Sequence, residues 1–382
     1  MKNRGRTMRR VIKPMCMASV TVLCGLILVC CNGKTEKANA VSRRVNLMEE
    51  SQLLRLYDCG QYHMAEVVNP WDTTRLLKSY LIVDRGVTPD SLPDGDFVRI
   101  DVPLERTLVY SSVHTGLIDA MGAGNAVAGV AEGQYFTGEM AARIKRGDVT
   151  DVGSSQSPSL EAIVALKPDA ILVSPFENAG HGVIEQAGVP IVECADYMEK
   201  TPKGRAEWGR FFGLLYGRSE GDSIYRAVAG RYDRIAAMVK DVEYRPLVLT
   251  EMLYDGYWFV PGGGSYMSNM LQDAGARYPW GGDTSTGSLQ LDFSTVYSKA
   301  ADADFWLIRD FRDLTLDDIK DEYLLNGQFK AFKNGNVFVA NTSKVPLFDE
   351  IALRPDNVLE EFVKIFHPEV IKGETRFFKR AK

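Results

Sequence analysis

The sequence predicts an α/β protein of two Rossmann-like lobes, each with a central parallel or mixed sheet. A single long backbone helix joins them, and a small β extension precedes the first. Three observations predict this. Short apolar runs alternate with helical patterns over residues 103–218, and a second alternating block fills residues 243–382. Between them, residues 220–240 carry the longest uninterrupted helical pattern in the chain. Strands alternating with helices at such short intervals imply parallel pairing through right-handed crossovers.

The chain opens on a targeting segment. Lys2, Arg4, Arg6, Arg9, Arg10 and Lys13 form a basic region, and residues 15–29 are mostly apolar yet too few for a comfortable membrane span. Leu28-Val29-Cys30-Cys31 is similar to a bacterial lipobox with Cys31 as the lipidated residue; Cys30 is the alternative. An ordinary signal peptide or short anchor is the other reading. Residues 1–31 are thus the signal, and residues 32–102 a polar tether and small β preamble. In the preamble, Met64-Ala-Glu-Val-Val68 and Ser79-Tyr-Leu-Ile-Val83 read as strands around the turn Asn69-Pro70-Trp71-Asp72, a covering hairpin.

In the first lobe, Thr107-Leu-Val-Tyr110 reads as a strand, followed by a helix over residues 116–121 stopped at Gly122. Ala126-Val-Ala-Gly-Val130 is the next strand. Ser157 is a good N-cap, with Pro158 at the first helical position and an apolar stripe of Leu160, Ile163, Val164 and Leu166 behind it. Lys167-Pro168 ends that helix, because a residue before proline avoids the α region. Ala170-Ile-Leu-Val173 is a continuous apolar run, typical of a strand covered on both faces, and Val189-Pro-Ile-Val192 follows as another. The bridging segment, residues 219–242, keeps Ile224, Val228, Ile235 and Val239 mainly on one face. The second lobe repeats the plan. Its strands are at Pro246-Leu-Val-Leu-Thr250, Trp258-Phe-Val260, Asp304-Phe-Trp-Leu-Ile308 and Asn336-Val-Phe-Val-Ala340, with helices over residues 265–273, 293–300 and 356–366.

The 382 residues are 45% hydrophobic and 25% charged, with a net charge of −5, which argues against a nucleic-acid partner. The four histidines make no HExxH, and no P-loop lysine occurs. Gly263-Gly264-Ser265-Tyr266-Met267 is not a GxSxG elbow. Gly122-Ala-Gly124 follows a helix and fails the dinucleotide fingerprint at Val127. No CxxC or Cys/His cluster suggests zinc. Nothing argues for an enzyme or a resident cofactor, and metal ligation is left open. Beyond the signal only Cys59 and Cys194 remain, and their pairing is also open.

Ligands of α/β sheets sit outside the carboxyl ends of the strands. The corresponding loops carry His114, Tyr135, Phe136, Phe176, Tyr254, Tyr257, Trp258, Arg309 and Phe311, with Phe348 and Arg354 in a later loop. Aromatic faces with a few cations suit a large, flat or anionic ligand, although each aromatic alone is more readily a packing residue. His114 reads as a ligand contact, a metal ligand or a hydrogen-bonder at a helix start. Tyr135 reads as a stacking residue or a phenolate ligand to ferric iron.

One stretch is more specific: Val152-Gly153-Ser154, then Ser159-Leu160-Glu161-Ala162-Ile163-Val164-Ala165-Leu166-Lys167-Pro168-Asp169. With Arg106-Thr-Leu-Val-Tyr-Ser-Ser, Val127-Ala-Gly129-Val130, Ala187-Gly188-Val189-Pro190 and Lys333-Asn334-Gly335-Asn336-Val337, it resembles the substrate-binding proteins of ABC importers for iron–siderophore, haem and cobalamin. The resemblance runs over about residues 103–370. It implies a monomeric, non-catalytic receptor, lipid-anchored on the periplasmic side of a bacterial membrane. Such a receptor takes an iron chelate (siderophore or haem) into the interlobe cleft and delivers it to an ABC permease and its ATPase. Cobalamin is the alternative cargo; a chelatase-like enzyme and a surface lipoprotein for a protein partner are the rivals from other classes.

The resemblance also implies roles. Glu161 matches the first-lobe glutamate that docks on the permease. In the second lobe Ser294 stands at the expected glutamate, so Asp292 is the substitute from two residues earlier. Gly116 stands where the family tends to carry a glutamate. Tyr135-Phe136 fall in a loop with a ligand-contacting tyrosine, Phe176 matches an aromatic contact of cobalamin binders, and Arg309 or Arg354 would pair with acidic groups on the ligand.

Overall fold

The computed structural model describes residues 45–382; the basic region, Cys31 and the tether residues up to 44 lie outside them. The preamble is a four-stranded sheet, not a hairpin. Leu54–Asp58, His63–Val68 and Leu76–Asp84 form an antiparallel meander, and Val98–Val102 adds in parallel to the third strand. The two strands that the sequence reading omits alternate buried and accessible positions, so period 2 was their available signal. Leu54, Val67, Tyr80 and Ile100 share one apolar core with Val109, Leu172, Trp208 and Phe211 of the following α/β block.

Two buried carboxylates fasten the preamble to the helix Pro202–Leu215 and the turn before it. The Glu207 carboxylate accepts the backbone N–H groups of Glu49, Glu50 and Ser51 at 2.7–2.8 Å and is paired with Arg210 at 2.8 Å. Glu199 accepts from Gln52 and Leu53, both at 3.1 Å, and from the Trp208 indole at 3.0 Å. A carboxylate is tolerated in such a place only when donors replace its lost hydration.

The first α/β block holds a five-stranded sheet, all parallel, in the order Thr150–Asp151, Val127–Val130, Thr107–Val109, Ala170–Val173, Ile191–Glu193. Ala170–Val173 is buried at every residue, as a strand covered on both faces should be. The helix after the Val152 loop is Leu160–Leu166, capped by Ser159 and not Ser157: the Ser159 hydroxyl accepts the Ala162 N–H at 3.1 Å. Pro158 precedes the cap, and Lys167 ends the helix at φ 49°. The helix expected from Gly116 begins a turn earlier and spans Ser112–Ala120.

Glu220–Met238, 19 residues, is the longest helix among the described residues. Its Tyr225 and Val228 pack on Ala206, while Tyr232 and Ile235 belong to the core of the second block. That block has Val248–Thr250, Phe305–Asp310 and Val337–Asn341 in parallel, with Lys379–Arg380 antiparallel at the edge. A separate antiparallel sheet joins Leu253–Tyr254, Tyr257–Pro261 and Ser288–Leu291. The closing helix Pro355–Phe366 carries Glu361, which accepts the N–H groups of Arg376, Phe377 and Phe378 at 2.6–2.7 Å and so ties down the C-terminal segment. All described residues fall in one compact unit.

Candidate functional site

Two adjoining chambers open where the strand ends of the two blocks face each other. The first, about 470 Å³, lies between the blocks. One wall comes from the helix Ser112–Ala120 and residues 134–140, the other from Phe311 and residues 342–349. The second, about 600 Å³, is lined by Glu251–Tyr254, Phe259, Arg309–Arg312, Glu322, Thr342 and Phe348. Phe311, Thr342 and Phe348 belong to both, so the chambers form one cleft.

Local sequence explains how its aromatic walls are held. Tyr135 closes a 3-10 turn, Gly133–Tyr135, entered through Glu132 in the left-handed region (φ 56°). The Asp151 carboxylate accepts the Gly133 N–H at 3.1 Å and Glu132 accepts the Ser155 hydroxyl at 2.9 Å, pinning this loop to the next strand. Phe311, 65% exposed, rides a turn whose carbonyls accept hydroxyls from Thr342 and Ser343 at 3.1 and 3.0 Å. Tyr254 sits at the tip of a two-residue hairpin made by Asp255 (φ 48°) and Gly256 (φ 81°), the positive-φ pair that a type I′ turn requires. Glu251 holds a left-handed conformation, φ 62°. Its carboxylate binds Arg309 and its carbonyl accepts the Trp306 indole N–H at 2.6 Å.

Of the residues expected at a ligand, Tyr135, Phe136, Tyr254 and Arg309 line the cleft, with Phe311 and Phe348 beside them. Arg309 is already paired with Glu251 (2.8 Å from Nε) and lies 5.7 Å from the Phe348 ring centre. Phe176 is exposed against Tyr197 at 6.5 Å but lines neither chamber. Three more expected contacts also lie outside the chambers. Trp258 is fully buried, stacked on Trp306 at 5.7 Å. Successive strand side chains point to opposite faces, so in Tyr257–Pro261 it is Phe259 that reaches the cleft. His114, 1% exposed, sits behind the wall with Nε2 on Asp196 at 2.9 Å, and Asp196 also holds Arg205 at 3.1 Å. Arg354 pairs with Asp356 at 2.9 Å at the start of the closing helix and stands outside both chambers.

Asp349 is a cleft residue that sequence reasoning missed. It lies in the first turn of the helix Leu347–Leu353, in the first chamber, opposite Gly116. A Cβ on Gly116 would stand 2.8 Å from the Asp349 Cγ, so only glycine lets the two helices approach this closely here. Burial, with the charges of Glu350 and Asp119 added, pushes the Asp349 carboxyl up to about 7. Burial also raises Asp119, against a lowering by Arg143. Among the described residues, no group of three or more His, Cys, Asp or Glu side chains is placed to hold a metal ion, and no helix is long and apolar enough to cross a membrane.

Two α/β blocks, with a ligand-sized aromatic cleft at the carboxyl ends of their parallel strands, define a binding protein of the two-lobed class. The chain belongs to the periplasmic binding protein family, whose model matches residues 109–343. A lipoprotein of uncharacterized function from Methanocaldococcus jannaschii is 29% identical over 300 residues, 74% of this chain and 70% of that protein. A second from the same organism is 24% identical over 354 residues, 86% and 85% of the two chains. Among solved structures, a periplasmic heme binding protein from Pseudomonas aeruginosa superimposes with a TM-score of 0.56 at 18% identity, over 73% of this chain and 98% of that one. An ABC-type Fe3+-hydroxamate transport protein from Saccharomonospora viridis gives 0.54 at 18% identity, over 70% and 95%. These likenesses show the fold.

Proposed function

We propose that this protein is an extracytoplasmic receptor, anchored through a lipid on Cys31, that captures an iron chelate in the cleft and hands it to an ABC permease and its ATPase. The observation that carries the reading is the cleft itself. It offers chambers of about 470 and 600 Å³, with Tyr135, Phe311, Phe348 and Tyr254 presenting aromatic surface to whatever fills them. That volume and lining suit a chelate of siderophore or haem size. The named ligands of the two solved relatives, heme and Fe3+-hydroxamate, support the same class. Glu161 supports delivery: it is exposed in the first turn of Leu160–Leu166, a carboxylate displayed on the surface. Asp292 is exposed at the corresponding helix start of the second block, but it accepts the Thr295 N–H at 2.7 Å and the Ser294 hydroxyl at 2.6 Å and so is a capping residue first.

Tryptophan fluorescence of a soluble chain beginning at Asn32 tests the reading. Trp306 reports on the cleft, because its indole is bonded to the Glu251 carbonyl. Titration with haemin, cobalamin and several ferric siderophores should give saturable quenching with an iron chelate. Saturation by cobalamin alone would replace iron with a corrin, and silence across the panel would overturn the chelate reading.

A further inference from the structure

The charges around the cleft are unequally satisfied. The second chamber holds two cations, and both are engaged: Arg309 binds Glu251, and Arg312 binds Asp310 at 3.0 Å and Glu322 at 2.6 Å. Among the described residues that line the first chamber there is no Lys, Arg or His, and its carboxylates are Asp119, Glu139 and Asp349. Glu139 is paired with Arg146 at 2.8 Å. The cation whose charge acts on Asp119 is Arg143, whose guanidinium already donates to the Gly124 and Val127 carbonyls at 2.9 and 3.0 Å. Among the described residues Asp349 has neither hydrogen bond nor ion pair, and the charges that act on it are the carboxylates of Glu350 and Asp119. Glu350 at least is relieved by Arg376 at 3.1 Å and the Asn357 amide at 2.7 Å.

An anionic ligand entering this cleft would have to take an arginine from its carboxylate or be buried beside Asp349. Freeing Arg309 from Glu251 or burying an anion beside Asp349 leaves a charge unpaired in a partly dry site, which is costly, whereas Arg312 sits in solvent-exposed pairs that are worth little. A positive group on the ligand does the opposite: it gives Asp349 the partner it lacks and relieves the repulsion from Asp119. We infer that the interlobe chamber selects a ferric chelate bearing a positively charged arm, such as a protonated amine, seated between Asp349 and Asp119. This inference rests on the reading of the cleft as a chelate site and narrows it: chelates whose periphery is anionic are the disfavoured class.

The test is a titration of the soluble chain with three iron complexes. They are a linear ferric trihydroxamate with a free amine, the same complex N-acetylated and therefore neutral, and a ferric tris-catecholate, which is anionic. The amine form is expected to bind about fivefold more tightly than the acetylated form, the upper end of one favourable, partly screened charge pair. The catecholate should be weakest. Asp349→Asn, nearly isosteric, should bring the amine-to-acetyl ratio below about threefold, and Asp119→Asn combined with it should bring the ratio to about one. Melting temperatures of the variants show that they are folded. Equal affinity for the amine and acetyl forms, tightest binding of the catecholate, or a ratio unmoved by both variants overturns the inference while leaving the chelate reading intact. Failure of every iron complex to saturate the unmutated chain overturns both.

Discussion

Replacing Asp349 with asparagine should stabilise the protein in a way that grows with pH. The unfolded carboxyl titrates near about 3.9, and burial beside Glu350 and Asp119 pushes the folded one up to about 7. Between those values the folded chain holds a proton that the unfolded chain has released, so stability falls as pH rises through that window. Above about pH 7 the whole penalty is present, and below about pH 4 it is absent. A shift of about three units sets a ceiling of about 4 kcal/mol, at about 1.36 kcal/mol per unit. Asp349 is only half-buried and sits in the first turn of a helix, so solvent screening and the helix dipole reduce this to about 1–2 kcal/mol. Urea unfolding of both chains at pH 4 and pH 8 measures it: the advantage of Asp349→Asn should be near zero at pH 4 and about 1–2 kcal/mol at pH 8. An equal advantage at both pH values, or a variant less stable than the parent at pH 8, would refute the assignment of the raised carboxyl to this site.

Two further outcomes follow from the placement of single residues. Trp258→Ala removes a fully buried ring from between Trp306 and Phe329, both 5.7 Å away, and should cost about 3–5 kcal/mol, read as a fall in melting temperature; lost ligand affinity with an unchanged melt would return Trp258 to the cleft. Glu161→Arg reverses an exposed charge that lines neither chamber, so uptake by cells should fall while the chelate affinity of the purified chain holds; undiminished uptake would remove Glu161 from docking.

The alternation of strand and helix was legible because each element announces itself locally. Ala170–Val173 is an unbroken apolar run, and the sequence signals a serine cap before Leu160–Leu166 two residues early, at Ser157 in place of Ser159. The cleft was legible only as a set of loops. Which face of Tyr257–Pro261 turns inward depends on its pairing with Ser288–Leu291, a distant strand, and so Trp258 and Phe259 were exchanged. His114 looked functional as a lone polar residue near a strand end, but its partners Asp196 and Arg205 lie some eighty to ninety positions on, too far for any local pattern to reveal. The same holds for Glu199, Glu207 and Glu361, whose backbone donors come from the two ends of the described chain. Asp349 was hidden for another reason. An acidic residue in a first helical turn is ordinary dipole chemistry, and only its position across from Gly116 gives it another meaning.

The junction between the blocks bears on how the cleft works. Helices Pro202–Leu215 and Glu220–Met238 meet backbone against backbone. A Cβ on Gly213 would stand 2.7 Å from the Arg218 carbonyl, and one on Gly221 would stand 2.7 Å from the Gly209 carbonyl. Arg210 then locks the pair, bonded to Asp222 at 2.8 Å and lying 4.6 Å from the Tyr225 ring centre. Toward the other end of the longer helix, Arg231 binds Asp356 at 2.7 Å at the start of the closing helix. A hinge needs a few residues free to absorb large changes in φ and ψ. Here residues 216–219 alone separate the helices, and Gly217 among them packs on Pro103, with 3.2 Å to a Cβ placed there. Wide opening would break these contacts together, so small rocking is the motion this junction permits. A cleft held in this way would be largely preformed, and the proposed selection would then fall to what is fixed in its walls: the aromatic surfaces and the carboxylate of Asp349.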